Sequence, residues 1–158
     1  MTDLVIITGM SGAGRTEAMH TFEDLGYFCI DNLPPSLLLS LVDSSDIPDA
    51  EEGTRRLAVV CDSRNFSTLG ELSRMLRQIR ERGVSYRIVF LDASDDELLS
   101  RYKATRRRHP LSMGGKLSLS EAIVKERCML LSLRNEADHI IDNTDRKPIV
   151  LSRTIQDL

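Results

Sequence analysis

A chain of 158 residues, 41% hydrophobic and 28% charged, has the balance of one folded domain rather than of a disordered segment. Its apolar runs, such as Leu4-Val5-Ile6-Ile7, are far shorter than the ~20 residues that cross a bilayer, and Asp3 with no basic stretch gives no sign of a secretory leader. A net charge of −3 argues against wholesale binding to a nucleic-acid backbone, and one basic run, Arg106-Arg107-Arg108-His109, stands out against it.

In chain order, the first strand is Leu4-Val5-Ile6-Ile7-Thr8. A helix follows over about 16–25, with Gly26 placed to close it. The next strand is Tyr27-Phe28-Cys29-Ile30-Asp31, and Pro34-Pro35 ends any extended pairing. A short helix begins in 37–42, and the polar, acidic stretch 44–53 reads as a loop. The third strand, Leu57-Ala58-Val59-Val60-Cys61, ends at Asp62. Thr68 and Glu71 have capping-box spacing for a helix running to about Arg82, where Gly83 stops it. The fourth strand covers 86–91 and ends in Asp92. Ser94 and Glu97 cap a helix that carries Leu98, Leu99 and Tyr102 towards His109, where Pro110 breaks it. Residues 111–116, with Gly114-Gly115, read as a flexible loop. Ser118 and Glu121 cap a helix to about Glu136, His139-Ile140-Ile141 is a fifth short strand, and a last helix starts near Pro148. Short apolar runs alternating with helical periods predict an α/β fold with a mostly parallel sheet.

Three cysteines, Cys29, Cys61 and Cys128, cannot all pair with one another and match no zinc spacing. Cys29 and Cys61 lie in apolar strand-like runs, so buried free thiols and a reducing, cytoplasmic setting are expected.

The sharpest signal is Gly9-Met10-Ser11-Gly12-Ala13-Gly14-Arg15-Thr16, which fits G-x-x-x-x-G-K-[ST] with arginine in place of lysine. Glycines let the backbone curl so that successive N–H groups point at phosphate oxygens, and the helix that follows adds positive charge at its N-terminus. In this pattern the residue at Arg15 reaches the β and γ phosphates of ATP or GTP, and the Thr16 hydroxyl ligates Mg²⁺. Arg15 keeps the charge of lysine but presents a planar fork of donors instead of a point charge. A ligand-free glycine turn is the competing reading, and three glycines followed by a basic residue and a threonine weigh against it. Asp62, at the end of an apolar strand, is placed like an aspartate that holds Mg²⁺ through water. Its alternative is a loop cap. Asp31 is either a group of the same crevice or a turn residue, and Asp92 is a neighbour of a helix cap.

Arg101 and Arg108 are seven residues apart and share a helix face. One or two arginines of this cluster are expected to reach transferring phosphates as a lid would, the rest being solvated. No N-K-x-D guanine reader occurs. His20 and His139 read as packed or surface histidines, and residues 137–144 lead from the fifth strand into a polar turn. No Glu or Gln is placed to orient a water.

Several strings carry a resemblance: the phosphate loop, Leu25-Gly26-Tyr27-Phe28-Cys29-Ile30-Asp31-Asn32-Leu33-Pro34, Asp62-Ser63-Arg64-Asn65, Phe90-Leu91-Asp92-Ala93, and Thr105-Arg106-Arg107-Arg108-His109-Pro110-Leu111. Together they resemble the RapZ/YvcJ-type nucleotide-binding proteins, the RNase adapter protein family, over nearly the whole chain. The resemblance implies a small-kinase-like P-loop NTPase fold, an α/β domain with a five-stranded parallel sheet in the order 2-3-1-4-5 flanked by helices. It implies binding of ATP and GTP with Mg²⁺ and weak ATPase or GTPase activity. The implied nucleotide-binding set is Gly9, Met10, Ser11, Gly12, Ala13, Gly14, Arg15 and Thr16 with Asp62, Ser63, Arg64 and Asn65. Thr16 and Asp62 hold the metal, and Arg15 and Arg108 act on the transferring phosphates. Family members normally have lysine at the position of Arg15. They also carry a second, C-terminal domain, which in the best-known members binds small regulatory RNA and controls amino-sugar synthesis. Residues 1–158 thus correspond to the N-terminal P-loop domain, with RNA a partner only through the domain absent here, no membrane association, and room for a homo-oligomer.

Three functions remain in view. The first is a regulatory nucleotide-binding domain with slow hydrolysis. The second is a small-molecule kinase with its acceptor near Asp31 and Arg64. The third is a binding module in which Arg15 has abolished hydrolysis.

Overall fold

Four consecutive residues, Leu4, Val5, Ile6 and Ile7, are fully buried in strand β1 (Thr2–Gly9). A strand without polar alternation must be covered on both faces, which places it inside a parallel sheet. In the computed structural model, which describes residues 2–43, 54–61, 66–105, 109–112, 117–144 and 148–158, β1 is indeed central. It pairs in parallel with β3 (Arg55–Cys61) on one side and β4 (Tyr86–Asp92) on the other. Both partners carry the same uninterrupted burial, Leu57 to Cys61 and Ile88 to Leu91. Outside them lie β2 (Phe28–Leu33) beside β3 and β5 (His139–Asp142) beside β4, so the order is β2-β3-β1-β4-β5, as expected.

Six helices cover the sheet among the described residues. Helix α1 (Arg15–Asp24) packs on α6 (Pro148–Gln156), and α4 (Asp95–Thr105) packs on α5 (Leu119–Glu136). Helix α3 (Phe66–Glu81) packs on α2 (Leu38–Asp43) and on the 3-10 turn Pro35–Leu37 that leads into it. Two expected caps form: Ser94 Oγ accepts from Glu97 N–H and Ser118 Oγ from Glu121 N–H, both at 3.2 Å. Helices α1 and α3 close at Gly26 and Gly83 with the six-to-one bonds Tyr27 N–H to Phe22 O (3.0 Å) and Val84 N–H to Ile79 O (3.2 Å).

Several elements differ from expectation. The Thr68–Glu71 pair does not start α3, which begins at Phe66 and so includes Thr68 in its first turn. The residue before Phe66 in sequence is Asn65, itself a favoured capping type. Strand β2 runs on past Asp31, because the backbone breaks step between Ile30 and Leu33, with Asn32 at φ 55°, and buries Leu33 opposite Cys61. Helix α4 is described only to Thr105, and His109 lies outside it, ahead of the 3-10 turn Pro110–Ser112. That turn takes up the start of the stretch expected to be a flexible loop. Cys61 is buried, but Cys29 is only half-buried on an edge strand, and Cys128 is exposed on α5. Burial pushes the Cys29 thiol up to about 11, with Glu23 adding to the rise. The loop expected at 44–53 lies outside the described residues.

Candidate phosphate-binding site

The phosphate loop starts where β1 meets β4. Gly9 has φ 139°, and a Cβ there would stand 2.1 Å from Leu91 O, so only glycine fits. Met10 N–H then donates to Leu91 O (3.0 Å) and Ala13 N–H to Met10 O (3.0 Å), closing a tight turn. The side chains of Met10 and Ala13 are fully buried and anchor the loop in the core. Gly14, at φ 105°, precedes α1 with no side-chain cap, and a Cβ there would meet Asn143 Nδ2 at 2.6 Å. Ala18 N–H makes the first bond back, to Gly14 O (3.0 Å). The earlier N–H groups of α1 therefore have no partner in its ladder, and they border the cleft.

Two side chains hold the loop's carbonyls. Arg101 on α4 donates through Nη1 to Gly12 O (3.0 Å), and Asn143, just past β5, donates through Nδ2 to Ala13 O (3.0 Å). In a trans peptide the next N–H points the opposite way, so fixing Ala13 O on Asn143 turns Gly14 N–H to the other side. Arg101 also donates through Nη2 to Asn143 O (2.6 Å) and through Nε to Glu97 Oε1 (2.9 Å). Arg101, a member of the cluster from which one or two arginines are expected to reach phosphates, thus braces the loop while lining the cleft, all three of its nitrogens committed. Asn143 Oδ1 is buried without a hydrogen-bond partner among the described residues. The Asn143 backbone N–H bonds Asp92 O (2.8 Å), and the Asp92 carboxylate is held by Arg127 (2.8 Å), Arg134 (3.2 Å) and Ala93 N–H (2.8 Å). Asp92 is therefore a structural neighbour of the cap, as expected.

A third support comes from α5. Glu126, 5% exposed, accepts Ser11 N–H at Oε1 (2.9 Å) and Ser11 Oγ–H at Oε2 (2.6 Å), and His109 Nε2 lies 3.2 Å from Oε1. Burial pushes the Glu126 carboxyl up, but the bonds from His109 and Ser11 outweigh it and hold it below the usual carboxylate range.

Beside the loop opens a cleft of ≈ 560 Å³ lined by Gly12, Gly14, Arg15, Thr16, Glu17, Glu97, Arg101, Tyr102, Thr105, Asn143 and Leu151. Thr16 is exposed and Arg15 half-buried, and among the described residues Arg15 has no ion-pair partner. Of the eight loop residues expected to bind nucleotide, Gly12, Gly14, Arg15 and Thr16 line the cleft, while Gly9, Met10, Ser11 and Ala13 turn to β4, the core or Glu126. Asp62, Ser63, Arg64, Asn65 and Arg108 lie outside the described residues. Asp31 sits exposed within edge strand β2, not at its end. His20 is exposed and His139 half-buried. No group of three or more His, Cys, Asp or Glu able to hold a metal occurs among the described residues. Mg²⁺ needs no such cage, because it keeps waters and phosphate oxygens as ligands, and a hard hydroxyl oxygen at Thr16 beside the cleft suits it. No described helix is long and apolar enough to cross a membrane.

A profile described as the RapZ-like N-terminal domain matches residues 2–158. A curated relative from Moorella thermoacetica, named a nucleotide-binding protein, is 46% identical over 156 residues, 98% of this chain and 52% of that protein. The chain thus spans about half the length of the curated relatives it matches. Among solved structures, shikimate kinase from Acinetobacter baumannii in complex with shikimate superposes with a TM-score of 0.67 at 16% identity, covering 98% of this chain and 90% of that one. A gluconokinase from Sinorhizobium meliloti gives 0.57 at 18% identity, covering 97% and 89%. The fold is that of the small P-loop kinases.

Proposed function

The chain belongs to the RapZ-like N-terminal domain family, and from that premise we propose that it binds ATP or GTP with Mg²⁺ in the loop 9–16 and hydrolyses them slowly. The observation that carries this reading is the loop itself, which is already curled, with Gly12 O tied to Arg101, Ala13 O tied to Asn143, and the start of α1 bordering the cleft. Preorganised N–H groups and an unpaired cation are what a triphosphate needs. The relatives' designation as nucleotide-binding proteins agrees with it.

Arg15 contacts the β and γ phosphates, and Thr16 with Asp62 holds Mg²⁺, which neutralises the phosphate charge when bound. Ser63, Arg64 and Asn65 border the nucleotide, and Arg108 acts on the transferring group. The domain works in the cytoplasm as the regulatory part of a longer RNase-adapter-like protein, whose other half carries any RNA contact, alone or as a homo-oligomer. Phosphate release from Mg-ATP and Mg-GTP tests the proposal: slow turnover is expected, abolished in Arg15→Ala. Undetectable turnover in both the original chain and Arg15→Lys would leave a binding module without hydrolysis.

A second reading, transfer of the γ-phosphoryl group to a small molecule, is favoured by the likeness to shikimate kinase and gluconokinase folds. It predicts that one compound in a panel of small hydroxylated acceptors raises nucleotide turnover sharply. A flat panel counts against it.

A further inference from the structure

Helix α5 buries Ala122, Ile123, Met129, Leu130 and Leu133, and in the middle of that apolar face it also buries the carboxylate of Glu126. An ionised group at 5% exposure is costly unless its oxygens are filled. Here they are, by Ser11 N–H, Ser11 Oγ–H and His109. The His109 ring is fully buried against Tyr102, with centroids 5.3 Å apart. Leu111 N–H donates to His109 Nδ1 (3.1 Å), so Nδ1 carries no proton and the ring's N–H is at Nε2, directed at Glu126 Oε1. The phosphate loop thus meets this carboxylate of α5 directly, and α4 and the turn Pro110–Ser112 meet it through His109.

A negative charge behind an anion-binding loop opposes the anion. Attraction for the ligand cannot be the reason for Glu126. What the carboxylate does is hold Ser11, by both its main-chain and side-chain donors, against α5, one residue before the carbonyls that Arg101 and Asn143 hold. We propose that Glu126 is a positioning residue for the phosphate loop: through Ser11 it fixes the curl before nucleotide arrives, and His109 fixes Glu126. The inference rests on the reading of this loop as a nucleotide site. Glu126 does not touch the ligand; it raises affinity by sparing the loop an ordering step on binding.

Two substitutions separate position from charge. In Glu126→Gln the amide oxygen still accepts from Ser11 N–H and His109, and the amide nitrogen donates to Ser11 Oγ once that hydroxyl rotates, so the network is rebuilt without charge. In Glu126→Ala it is lost. Calorimetric titration with Mg-ATP and Mg-GTP, with a melting curve for each protein, reads the result. Glu126→Ala is expected to bind about tenfold more weakly, Glu126→Gln to return to within about threefold of the original chain, and Ser11→Ala, which keeps its N–H, to fall between. Tighter binding by equal factors in Glu126→Ala and Glu126→Gln would mean that only the charge matters, and would overturn the proposal. Unchanged affinity with a lower melting temperature in Glu126→Ala would make the carboxylate merely structural, and would overturn it too. Should Glu126→Ala not fold, Ser11→Ala decides: weakened binding supports the proposal, and affinity equal to the original chain refutes it. Failure of the original chain to bind either nucleotide would instead remove the site reading on which the inference stands.

Discussion

Two arginines divide the work at the loop. Arg15 faces the cleft without an ion pair among the described residues, while Arg101 spends Nη1 on Gly12 O, Nη2 on Asn143 O and Nε on Glu97. Only a guanidinium presents donors in that fan, so lysine cannot replace it. Arg101→Ala and Arg101→Lys should each cost about 1 kcal/mol in urea unfolding, because Gly12 O and Asn143 O lose their donor. Lysine restoring full stability would contradict the bracing role. The sequence showed Arg101 only as a member of a basic cluster. Its partner, Gly12, is 89 positions away, and a separation of that kind leaves no local pattern. Glu126 was more legible than it looked: it occupies a core position in the apolar period of α5, a place where a carboxylate signals a buried partner. The glycine motif, by contrast, was readable because its constraint is local. Gly9 and Gly14 are demanded by contacts a Cβ would violate, at Leu91 O and Asn143 Nδ2.

At the scale of elements, the central strands were plain in the sequence, because both faces are buried and each therefore carries an uninterrupted apolar run. Edge strand β2 was harder. Its pattern is mixed, and the step at Asn32 that carries it to Leu33 depends on pairing with Cys61, which sequence alone does not supply. Helix starts followed the serine caps where the cap serine stands directly before the helix, as at Ser94 and Ser118. The same spacing at Thr68 and Glu71 was misleading, because nothing in it fixes whether the helix has already begun. The cap at Ser118 matters beyond α5 itself, since this helix delivers Glu126. Ser118→Ala is expected to lower stability by about 1 kcal/mol. A melting temperature equal to that of the original chain would show that the cap contributes nothing.

At the scale of the molecule, the order β2-β3-β1-β4-β5 places β1 between its neighbours and sets the loop that follows it in the crevice at the strands' C-terminal ends. Strand alternation predicts a parallel sheet but not that order. The order came with the family resemblance, and it is what the strand pairing gives. Around that crevice three elements distant in sequence, α4, α5 and the turn after β5, contribute Arg101, Glu126 and Asn143 to one loop. These three contacts hold the loop's shape, the preorganisation that the proposed phosphate site calls for.

Calorimetric titration of the original chain and of Arg15→Ala with Mg-ATP and Mg-GTP tests that claim most directly. Saturable binding by the original chain, weakened at least about tenfold in Arg15→Ala, is the predicted result, since a charged contact to phosphate is lost. No binding at about millimolar nucleotide, or equal binding by the two proteins, would contradict the assignment of the loop as the phosphate site.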